Sequence, residues 1–282
     1  MTYHPPENRE VGKAGRFVAV LRTALGGELP TAILEALETR RRIEAAMGSA
    51  TAGTVDAVWA VASQITAQAR SGPVGDLEKL TATAIEAERK SRIGTIVDEA
   101  LRQARLDAGQ ELVAAVRASA PGLVDRLRSR HDQLLEEVRQ VAKTLAGASL
   151  ADPVSLDEPA RQAYMRLREL VSAWSAVADV FARVALDFIG QPVMADNGWS
   201  RFRNAPAVYG DRWAGRRLTG WTPWPEDDAV AYLVWLSGGA RMYAAAVPEP
   251  WLPLSSDWEA AATAHRDAQR AAGVAVAIAV GA

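Results

Sequence analysis

The fold is decided by two stretches of the sequence, Gly122-LVDRLRSRHDQLLEEVRQVAKT-Leu145 and Pro159-ARQAYMRLRELVSAWSAVADVFARVALD-Phe188. Both carry apolar side chains at alternating intervals of three and four residues, the pattern of a helix that buries one stripe against a partner helix. In the first stretch the stripe consists of Val124, Leu127, His131, Leu134, Val138, Val141 and Leu145. In the second it consists of Ala163, Leu167, Leu170, Trp174, Val177, Phe181, Val184 and Phe188. Because the linker between them is short, the pattern predicts an antiparallel helical hairpin over residues 122–188.

The composition excludes several classes of function. A chain of 282 residues suffices for one large or two smaller domains, and 49% hydrophobic with 23% charged residues is typical of a soluble globular protein. The formal net charge of −2 gives no basic field that would recruit nucleic acid or an anionic membrane. The chain contains no cysteine, which excludes disulfides, thiolate nucleophiles and cysteine-ligated metal centres.

Secretory and membrane signals are missing from the sequence. The N-terminal residues lack the basic segment followed by an apolar one that marks a signal peptide. The apolar runs are shorter than the about 18 residues that a membrane span requires. We therefore expect a cytoplasmic protein, or a component of a particle that assembles inside the cell.

The predicted architecture is mainly α. It consists of an elongated antiparallel helical bundle with heptad-patterned long helices, and of a loop-rich, Trp-rich helical C-terminal cap. Residues 1–10 are predicted to form an extended arm, because Pro5 and Pro6 favour polyproline II structure. Residues 11–190 are assigned to the helical bundle, and residues 191–282 to the Trp-rich region, where glycine and proline also become more frequent.

Glycine and proline residues set the predicted ends of the bundle helices. Gly26-Gly27 ends a first helix, and Pro30 suits the first turn of a second. Pro121 is predicted to break or kink the next long helical segment, and it also suits the first turn of a following helix. Helices are expected over Val11–Leu25, Pro30–Met47, 54–69, 76–120, Gly122–Leu145 and Pro159–Ile189.

Capping signals place the remaining helix starts. The segments Ser155–Glu158 and Ser256–Glu259 both read Ser-x-x-Glu, which predicts a capping box at each. Between them, Glu226–Leu236 is predicted to be a helix whose acidic first turn suits the helix dipole. The C-terminal run Val274–Val280 alternates β-branched residues with alanine, which indicates a strand, and an alanine-rich helix is the competing interpretation.

His131 occupies an inner position of the first heptad stripe. In the structural interpretation it is a core histidine that forms a hydrogen bond across the helix seam and sets the register. In the chemical interpretation it is a metal ligand or a general base. Arg130 and Asp132 are not expected to face the same way, and no second histidine follows three or four residues later. The sequence favours the structural interpretation.

Catalytic and cofactor motifs are absent from the sequence. It has no His-Glu-x-x-His, Glu-x-x-His or Gly-x-Ser-x-Gly motif, and three histidines in all. Gly210–Arg217 has the glycine spacing of a phosphate loop, with arginine where that motif needs lysine. The acidic pair Asp227-Asp228 is explained by a helix start, since adjacent helical side chains point about 100° apart. The sequence therefore indicates no catalytic residue, no metal and no cofactor.

The strongest recognition signal is the interleaving of aromatic and cationic residues between Trp199 and Trp224. Seven of the nine tryptophans lie beyond Gly190, and this segment holds five arginines against a single aspartate. Such a surface can form a protein interface, stack on nucleic-acid bases or hold a small molecule. Alternatively, the tryptophans fill a core and the arginines stack on their faces. The candidate interface or ligand residues are Trp199, Arg201, Arg203, Arg212, Trp213, Arg216, Arg217, Trp221 and Trp224.

The preferred hypothesis is a non-enzymatic structural or interaction protein, a subunit of a larger homo- or hetero-oligomeric assembly. It rests on the coiled-coil-like heptad stripes and on the lack of a catalytic constellation. Protein partners are expected, through self-association or docking, and a phage-type particle is one setting for such a subunit. Nucleic acid is not favoured, because the overall charge is near neutral. The alternative hypothesis is a ligand-binding module, a nucleic-acid-binding module or an enzyme with its site at residues 199–224.

Overall fold

The structure is a computed structural model that describes residues 6–47, 77–145, 153–191, 201–209, 228–237 and 246–280. Most of these residues are helical and none of them belongs to a β-strand, which confirms the predicted mainly α class. The helices are α1 (Pro6–Ala24), α2 (31–47), α3 (Leu77–Thr144), α4 (Glu158–Arg183), α5 (Ala205–Tyr209), α6 (Ala229–Leu236) and α7 (Ser255–Val280). The helix predicted over residues 54–69 lies outside the described residues.

The chain divides into two compact units. One comprises Met1–Ala19 with Leu29–Ser119, and the other comprises Val20–Glu28 with Ala120–Ala282. Both α1 and α3 contribute residues to each unit. This division follows contacts in space, so it does not test the compositional division that was predicted at residues 10 and 190.

The first helix begins earlier than predicted. α1 starts at Pro6, so residues 6–10 are helical rather than extended, and residues 1–5 lie outside the described part of the chain. Proline fits the first turn of a helix, because its φ is helical and no backbone N–H is needed there. As predicted, the helix ends before Gly26 and Gly27, whose φ values of 73° and 108° are accessible to glycine at little steric cost.

Polar contacts join α1, α2 and α3 within the first unit. A Cβ added to Gly15 of α1 would lie 3.3 Å from Nη1 of Arg40, so glycine permits the close approach of that guanidinium. Within α2, Arg40 forms an ion pair with Glu44 at 3.0 Å, and Arg105 of α3 lies 3.5 Å from the same carboxylate. The buried apolar residues of this unit are Ala14, Phe17, Val18, Leu29, Ile33, Ala108, Leu112 and Val116.

α3 is a single helix of 68 residues that contains Pro121. The prediction that this proline divides the helix in two is therefore wrong. A proline inside a helix costs about 3 kcal/mol, through its missing N–H and the clash of its ring with the preceding turn. Pro121 is itself exposed, whereas the neighbouring Ala120, Leu123 and Val124 are at most 3% exposed. Burial of these neighbours offsets the cost of the proline, because each fully buried Leu or Val contributes about 1.5–3 kcal/mol.

Asp157 is the N-cap of α4. Its carboxylate accepts a hydrogen bond from the backbone amide of Ala160 at 2.9 Å. The capping box predicted at Ser155–Glu158 is therefore wrong in its first residue, since that serine belongs to a 3-10 turn, Pro153–Ser155. Aspartate is among the strongest N-cap residues, and this cap places Pro159 in the first turn, where proline is tolerated.

The C-terminal end of α4 continues into one π-helical turn, Val184–Ile189. This turn ends, as predicted, at Gly190, whose φ of 77° is left-handed. Gln191 follows, and its Oε1 accepts hydrogen bonds from the hydroxyls of Ser255 at 3.3 Å and Ser256 at 3.1 Å. The end of α4 is thereby attached to the first turn of α7.

Side-chain contacts connect α3 and α4. The contacting pairs are Glu137–Arg166 (3.1 Å), His131–Trp174 (4.1 Å between ring centroids) and Arg128–Phe181 (5.8 Å from the guanidinium carbon to the ring centroid). Along this series the residue number falls on α3 and rises on α4. The buried apolar residues are Leu123, Val124, Leu127, Leu134, Leu135, Val138 and Ala142 on α3, and Ala160, Ala163, Leu167, Leu170, Val177, Val180 and Phe181 on α4.

α6 is a short apolar helix that is capped by Asp228. The Asp228 carboxylate accepts hydrogen bonds from the amides of Val230 at 2.8 Å and Ala231 at 3.2 Å. The helix-start interpretation of this aspartate is thus confirmed. Residues 221–227 lie outside the described residues, and with them the predicted start at Glu226.

α7 extends to Val280, so the strand predicted over Val274–Val280 is wrong. Alanine has the highest helix propensity, and extending an existing helix is far easier than starting one, whereas a strand needs an edge with which to pair. Across the described ranges no strand is present to supply such an edge. The helix start also differs from the capping box predicted at Ser256–Glu259, because the carboxylate of Asp257 accepts a hydrogen bond from the amide of Leu254 at 2.8 Å.

Candidate functional site

Arg128 connects α3 to the segment that precedes α7. Its Nε donates a hydrogen bond to the carbonyl oxygen of Leu252 at 2.9 Å, and its Nη2 donates to Oδ2 of Asp257. Its guanidinium also lies over the ring of Phe181. Arg128 and Asp257 are only partly exposed, so their charge-assisted hydrogen bond is shielded from much of the solvent. Through these contacts Arg128 acts as a structural connection within the protein. They do not indicate that its guanidinium binds a ligand.

His131 is buried among the residues of α3 and α4. Its Nδ1 lies 3.2 Å from Oδ1 of Asp132, and its ring packs against Trp174. The prediction that Asp132 faces another way is therefore wrong: rotation about side-chain bonds closes the about 100° between adjacent helical positions. Burial lowers the pKa of His131, and the hydrogen bond and negative charge of Asp132 oppose this shift in part. The geometry is that of a neutral packed histidine.

An aromatic cluster surrounds Phe202. Phe202, Tyr209 and Trp235 are all buried, and the Phe202 ring lies 6.4 Å from that of Tyr209 and 5.8 Å from that of Trp235. Tyr232 stacks on Trp235 at 6.1 Å between ring centroids. Burial raises the pKa of Tyr232 to about 12, so its hydroxyl is protonated at neutral pH. Tilted and stacked rings at these distances are typical of a packed aromatic core.

Arg203 and Asn204 are held against the segment 247–251. The carboxamide of Asn204 donates a hydrogen bond to the carbonyl of residue 247 at 2.8 Å and accepts one from the amide of Glu249 at 2.9 Å. The backbone amide of Arg203 donates to the carbonyl of Glu249, also at 2.9 Å. The Arg203 guanidinium carbon lies 5.3 Å from the ring centroid of Trp251, which is within the range of a cation–π interaction.

Two of the predicted recognition residues, Arg201 and Arg203, are described by the structure, and both are exposed. In Arg203 the cation covers the face of a tryptophan that belongs to the same unit. The remaining predicted residues lie outside the described part of the chain: Trp199, Arg212, Trp213, Arg216, Arg217, Trp221 and Trp224. The phosphate-loop spacing at Gly210–Arg217 lies outside it as well. A binding role for this segment therefore stays a prediction.

The concave surfaces of α3 and α4 are shallow and open. One is lined by a single helix, α4, through Glu158, Arg161, Gln162, Met165, Arg166 and Glu169. Another is lined by α3 alone, through Gln133, Glu136, Glu137, Gln140 and Val141. Their charged side chains pair with one another, as Arg166 does with Glu137 and with Glu169 at 2.7 Å. Neither surface encloses a small molecule in the way that a ligand pocket does.

The N-terminal half of α3 exposes large apolar side chains. Ile85 is 61% exposed, Ile93 52%, Ile96 69% and Val97 41%. At about 100° per residue, these four side chains fall within an arc of about 120° around the helix. We call them the exposed stripe. Sequence reasoning missed it as a surface, because the same apolar spacing arises whether the covering helix belongs to the same chain or to another.

Metal clusters and membrane helices are not part of the described structure. Within the described ranges, no three His, Asp or Glu side chains are grouped so that they could hold a metal ion. Nor is any helix of these ranges both long enough and apolar enough to cross a lipid bilayer.

Comparison of the chain with models of known protein families, with curated proteins and with solved structures gives no match. Of the ten large apolar side chains that are exposed in the described residues, four belong to the exposed stripe.

Proposed function

We propose that this protein is a non-enzymatic structural or interaction protein, a subunit of a larger homo- or hetero-oligomeric assembly. The observation that carries the proposal is the exposed stripe. Large apolar side chains that are exposed on one side of a helix are typical of a protein–protein contact. Covering the exposed parts of its four side chains would contribute roughly 3–7 kcal/mol before the cost of association. This free energy is not gained while the stripe is exposed to water.

The scaffold of this subunit, in our proposal, is an antiparallel hairpin of α3 and α4 with heptad-like packing. The order of the contacting pairs supports it, since Glu137 contacts Arg166 and, nearer the N-terminus of α3, Arg128 contacts Phe181. Burial supports it as well. The inner heptad positions that are buried are Val124, Leu127, His131, Leu134 and Val138 on α3, Leu145 directly after it, and Ala163, Leu167, Leu170, Val177, Phe181 and Val184 on α4 and its π-helical turn.

The partners of this subunit are proteins in our proposal, because the stripe offers apolar surface rather than groups that recognise a small molecule or a nucleic acid. A particle assembled inside the cell, a phage-type one included, is built from subunits of this kind. The alternative hypothesis, a ligand or nucleic-acid site at residues 199–224, draws no support from the described residues. There Arg203 stacks on Trp251, as an arginine does in a structural role.

The proposal is tested by sedimentation velocity over a wide range of protein concentrations. We expect the wild-type protein to form species larger than a monomer, and the variant Ile93→Ser/Ile96→Ser to need at least about tenfold more protein to do so, because about 1.4 kcal/mol or more of apolar contact is lost. The matched control is Met165→Ser/Leu186→Ser, which removes two exposed apolar side chains outside the stripe and should leave assembly unchanged.

Two results would count against the assembly function. A wild-type protein that stays monomeric at all concentrations, and that binds no protein through the stripe, would refute it. Equal loss of assembly in the stripe variant and in the matched control would show that the stripe is not the surface responsible.

A further inference from the structure

The π-helical turn that follows α4 contains one residue more than an α-helical turn. The amide of Val184 donates to the carbonyl of Val180, four residues earlier, whereas the amide of Gly190 donates to the carbonyl of Ala185, five residues earlier. Hydrogen bonding therefore changes from the α-helical to the π-helical register within residues 184–190. Single π-helical turns are rare in proteins, and they occur frequently at functional sites.

This turn lies between two contacts with other helices. On its N-terminal side, Phe181 packs against the guanidinium of Arg128 of α3. On its C-terminal side, Oε1 of Gln191 accepts hydrogen bonds from the hydroxyls of Ser255 and Ser256 in the first turn of α7. The backbone amide of Ser256 lies 3.4 Å from the same oxygen. The number of residues in the turn therefore sets where Gln191 meets α7.

Polar contacts hold α7 at its N-terminal end. Two side chains from outside the helix, Arg128 and Gln191, form hydrogen bonds with its first turn and with the segment before it. Further along the helix, nine of the ten residues 263–272 are exposed. A movement of Gln191 therefore acts on the end of α7 that meets the rest of its unit.

We propose that the π-helical turn is a conformational switch, which attaches α7 to the end of α4 and releases it. In the released state the turn takes the α-helical register, and the amide of Gly190 bonds to the carbonyl of Leu186. Because the turn then closes with one residue fewer, Gln191 lies about 100° further around the helix axis, and its side chain leaves the first turn of α7. The hydrogen bonds of Arg128 remain, so α7 turns about that contact. Register shifts of helices take place in microseconds to milliseconds.

The shift disturbs little of the packed core. None of the residues 186–190 is buried, and the fully buried Val184 and Ala185 precede the residues that rotate. Gly190 has a φ of 77° in the attached state, and glycine populates left-handed and helical values of φ about equally readily. The two states therefore differ mainly in the register of a few hydrogen bonds and in the contacts of Gln191.

Substitution of the glycine that ends the turn shifts the balance between the two states. In Gly190→Ala the added Cβ meets no atom within 4 Å, so the cost of the substitution comes from the left-handed φ alone. We expect it to favour the α-helical register by about five- to thirtyfold, and to raise the hydrogen-exchange rate of the Ser256 amide at least about fivefold. The matched control is Gly26→Ala at the end of α1, where φ is also left-handed and a Cβ also has room. It should leave exchange at Ser256 unchanged.

Deletion of Leu186 tests whether the extra residue is the cause. The α-helical register then continues through the turn with one residue fewer, and Gln191 still faces α7. In the wild-type protein, relaxation dispersion should show residues 186–191 and Ser256 changing between two states at one shared rate. The deletion should abolish this dispersion, whereas Leu186→Ala, which keeps the number of residues, should preserve it.

These outcomes do not depend on the exposed stripe or on assembly. Faster exchange at Ser256 in Gly190→Ala, together with a shared rate in the wild-type protein, supports the switch. An unchanged rate at Ser256, or an equal rise in Gly26→Ala, overturns it. Dispersion that is absent from residues 186–191, or that survives the deletion of Leu186, overturns it as well. If the deletion variant does not fold, the comparison of the two glycine substitutions decides.

Discussion

The two halves of α3 differ in what covers them. In the C-terminal half, Leu127 and Leu134 are fully buried, and the nearby Arg128 and His131 contact residues of α4. In the N-terminal half, Ile85 and Ile96 of the exposed stripe are mostly in solvent. Both halves are helical, because helix formation depends on local propensity and hydrogen bonding along the chain. Burial depends on a partner surface, and the comparison shows that apolar spacing predicts a helix with an apolar face without predicting which chain covers it.

The largest expected effect is on the free energy of unfolding. It is seen by comparing one substitution in each half of α3. Leu134→Ala should lower the free energy of unfolding by about 2–5 kcal/mol, because it removes a fully buried side chain and leaves a cavity. Ile96→Ala, its matched control in the exposed stripe, should change the stability of the monomer by less than about 1 kcal/mol. Urea titration at a concentration where the protein is dissociated measures both. Equal losses would remove the distinction between the two halves.

A second prediction concerns Pro121, which lies within α3 on the C-terminal side of the exposed stripe. Pro121→Ala should raise the free energy of unfolding by about 1–3 kcal/mol, since alanine restores the missing N–H and removes the clash of the ring with the preceding turn. Pro121 is exposed, so little packing is lost. The matched control is Gly122→Ala at the adjacent exposed position, where a Cβ meets no atom within 4 Å and the expected gain is about 0.5–1 kcal/mol. A loss of stability in Pro121→Ala would contradict the continuous helix.

A third prediction addresses the polar connections of the packed half. Arg128 and Asp257 are joined by a partly shielded charge-assisted hydrogen bond. A double-mutant cycle with Arg128→Met and Asp257→Asn should give a coupling energy of about 1 kcal/mol in chemical denaturation. The exposed pair Arg42–Glu38 on α2 is the control, with about 0.5 kcal/mol or less. Coupling no larger than the control would mean that Arg128 does not hold α7 to α3.

The smallest expected effect is a dependence of the unfolding free energy on pH. It arises from His131, in the C-terminal half of α3. Burial lowers the pKa of His131 in the folded protein, whereas the unfolded chain keeps the ordinary value of about 6.5. Below that pH the unfolded state binds a proton that the folded state does not, so the unfolding free energy falls as the pH drops from about 6.5 to the lowered folded pKa. Above about pH 6.5 this loss is absent.

The control for this pH effect is His131→Gln, which removes the titrating group and keeps a side chain of similar size. We expect urea titrations between about pH 7.5 and pH 5 to show a smaller loss of stability on acidification in the variant than in the wild-type protein. An identical slope in both proteins would show that His131 does not titrate with a lowered pKa.

Features set by short-range geometry could be predicted from the sequence. The mainly α class follows from the spacing of apolar residues, and the helix ends at Gly26 and Gly190 follow from the left-handed φ that glycine adopts. Pro121 and the tail Val274–Val280 could not be predicted in this way. At Pro121 the burial of neighbouring side chains offsets a local cost, and in the tail a helix already formed continues where local alternation favours a strand.

Long-range contacts and the candidate surface could not be predicted, for a different reason. Arg128 and its partner Asp257 are 129 residues apart in sequence, and no local sequence pattern predicts such a pair. The exposed stripe has the same apolar spacing as the buried stripe near Leu134, so the sequence cannot distinguish them. The binding role predicted for the Trp/Arg segment stays a prediction, because two of its nine candidate residues, Arg201 and Arg203, are described. Of these two, Arg203 packs on Trp251.

The central claim is that the exposed stripe is an assembly surface and the C-terminal half of α3 is a scaffold. Hydrogen–deuterium exchange at two protein concentrations, below and above the onset of association, tests it most directly. We predict that the amides of residues 85–97 exchange more slowly at the higher concentration, while those of residues 123–138 exchange at the same rate at both. Unchanged exchange over residues 85–97 in a protein that does associate would contradict the claim.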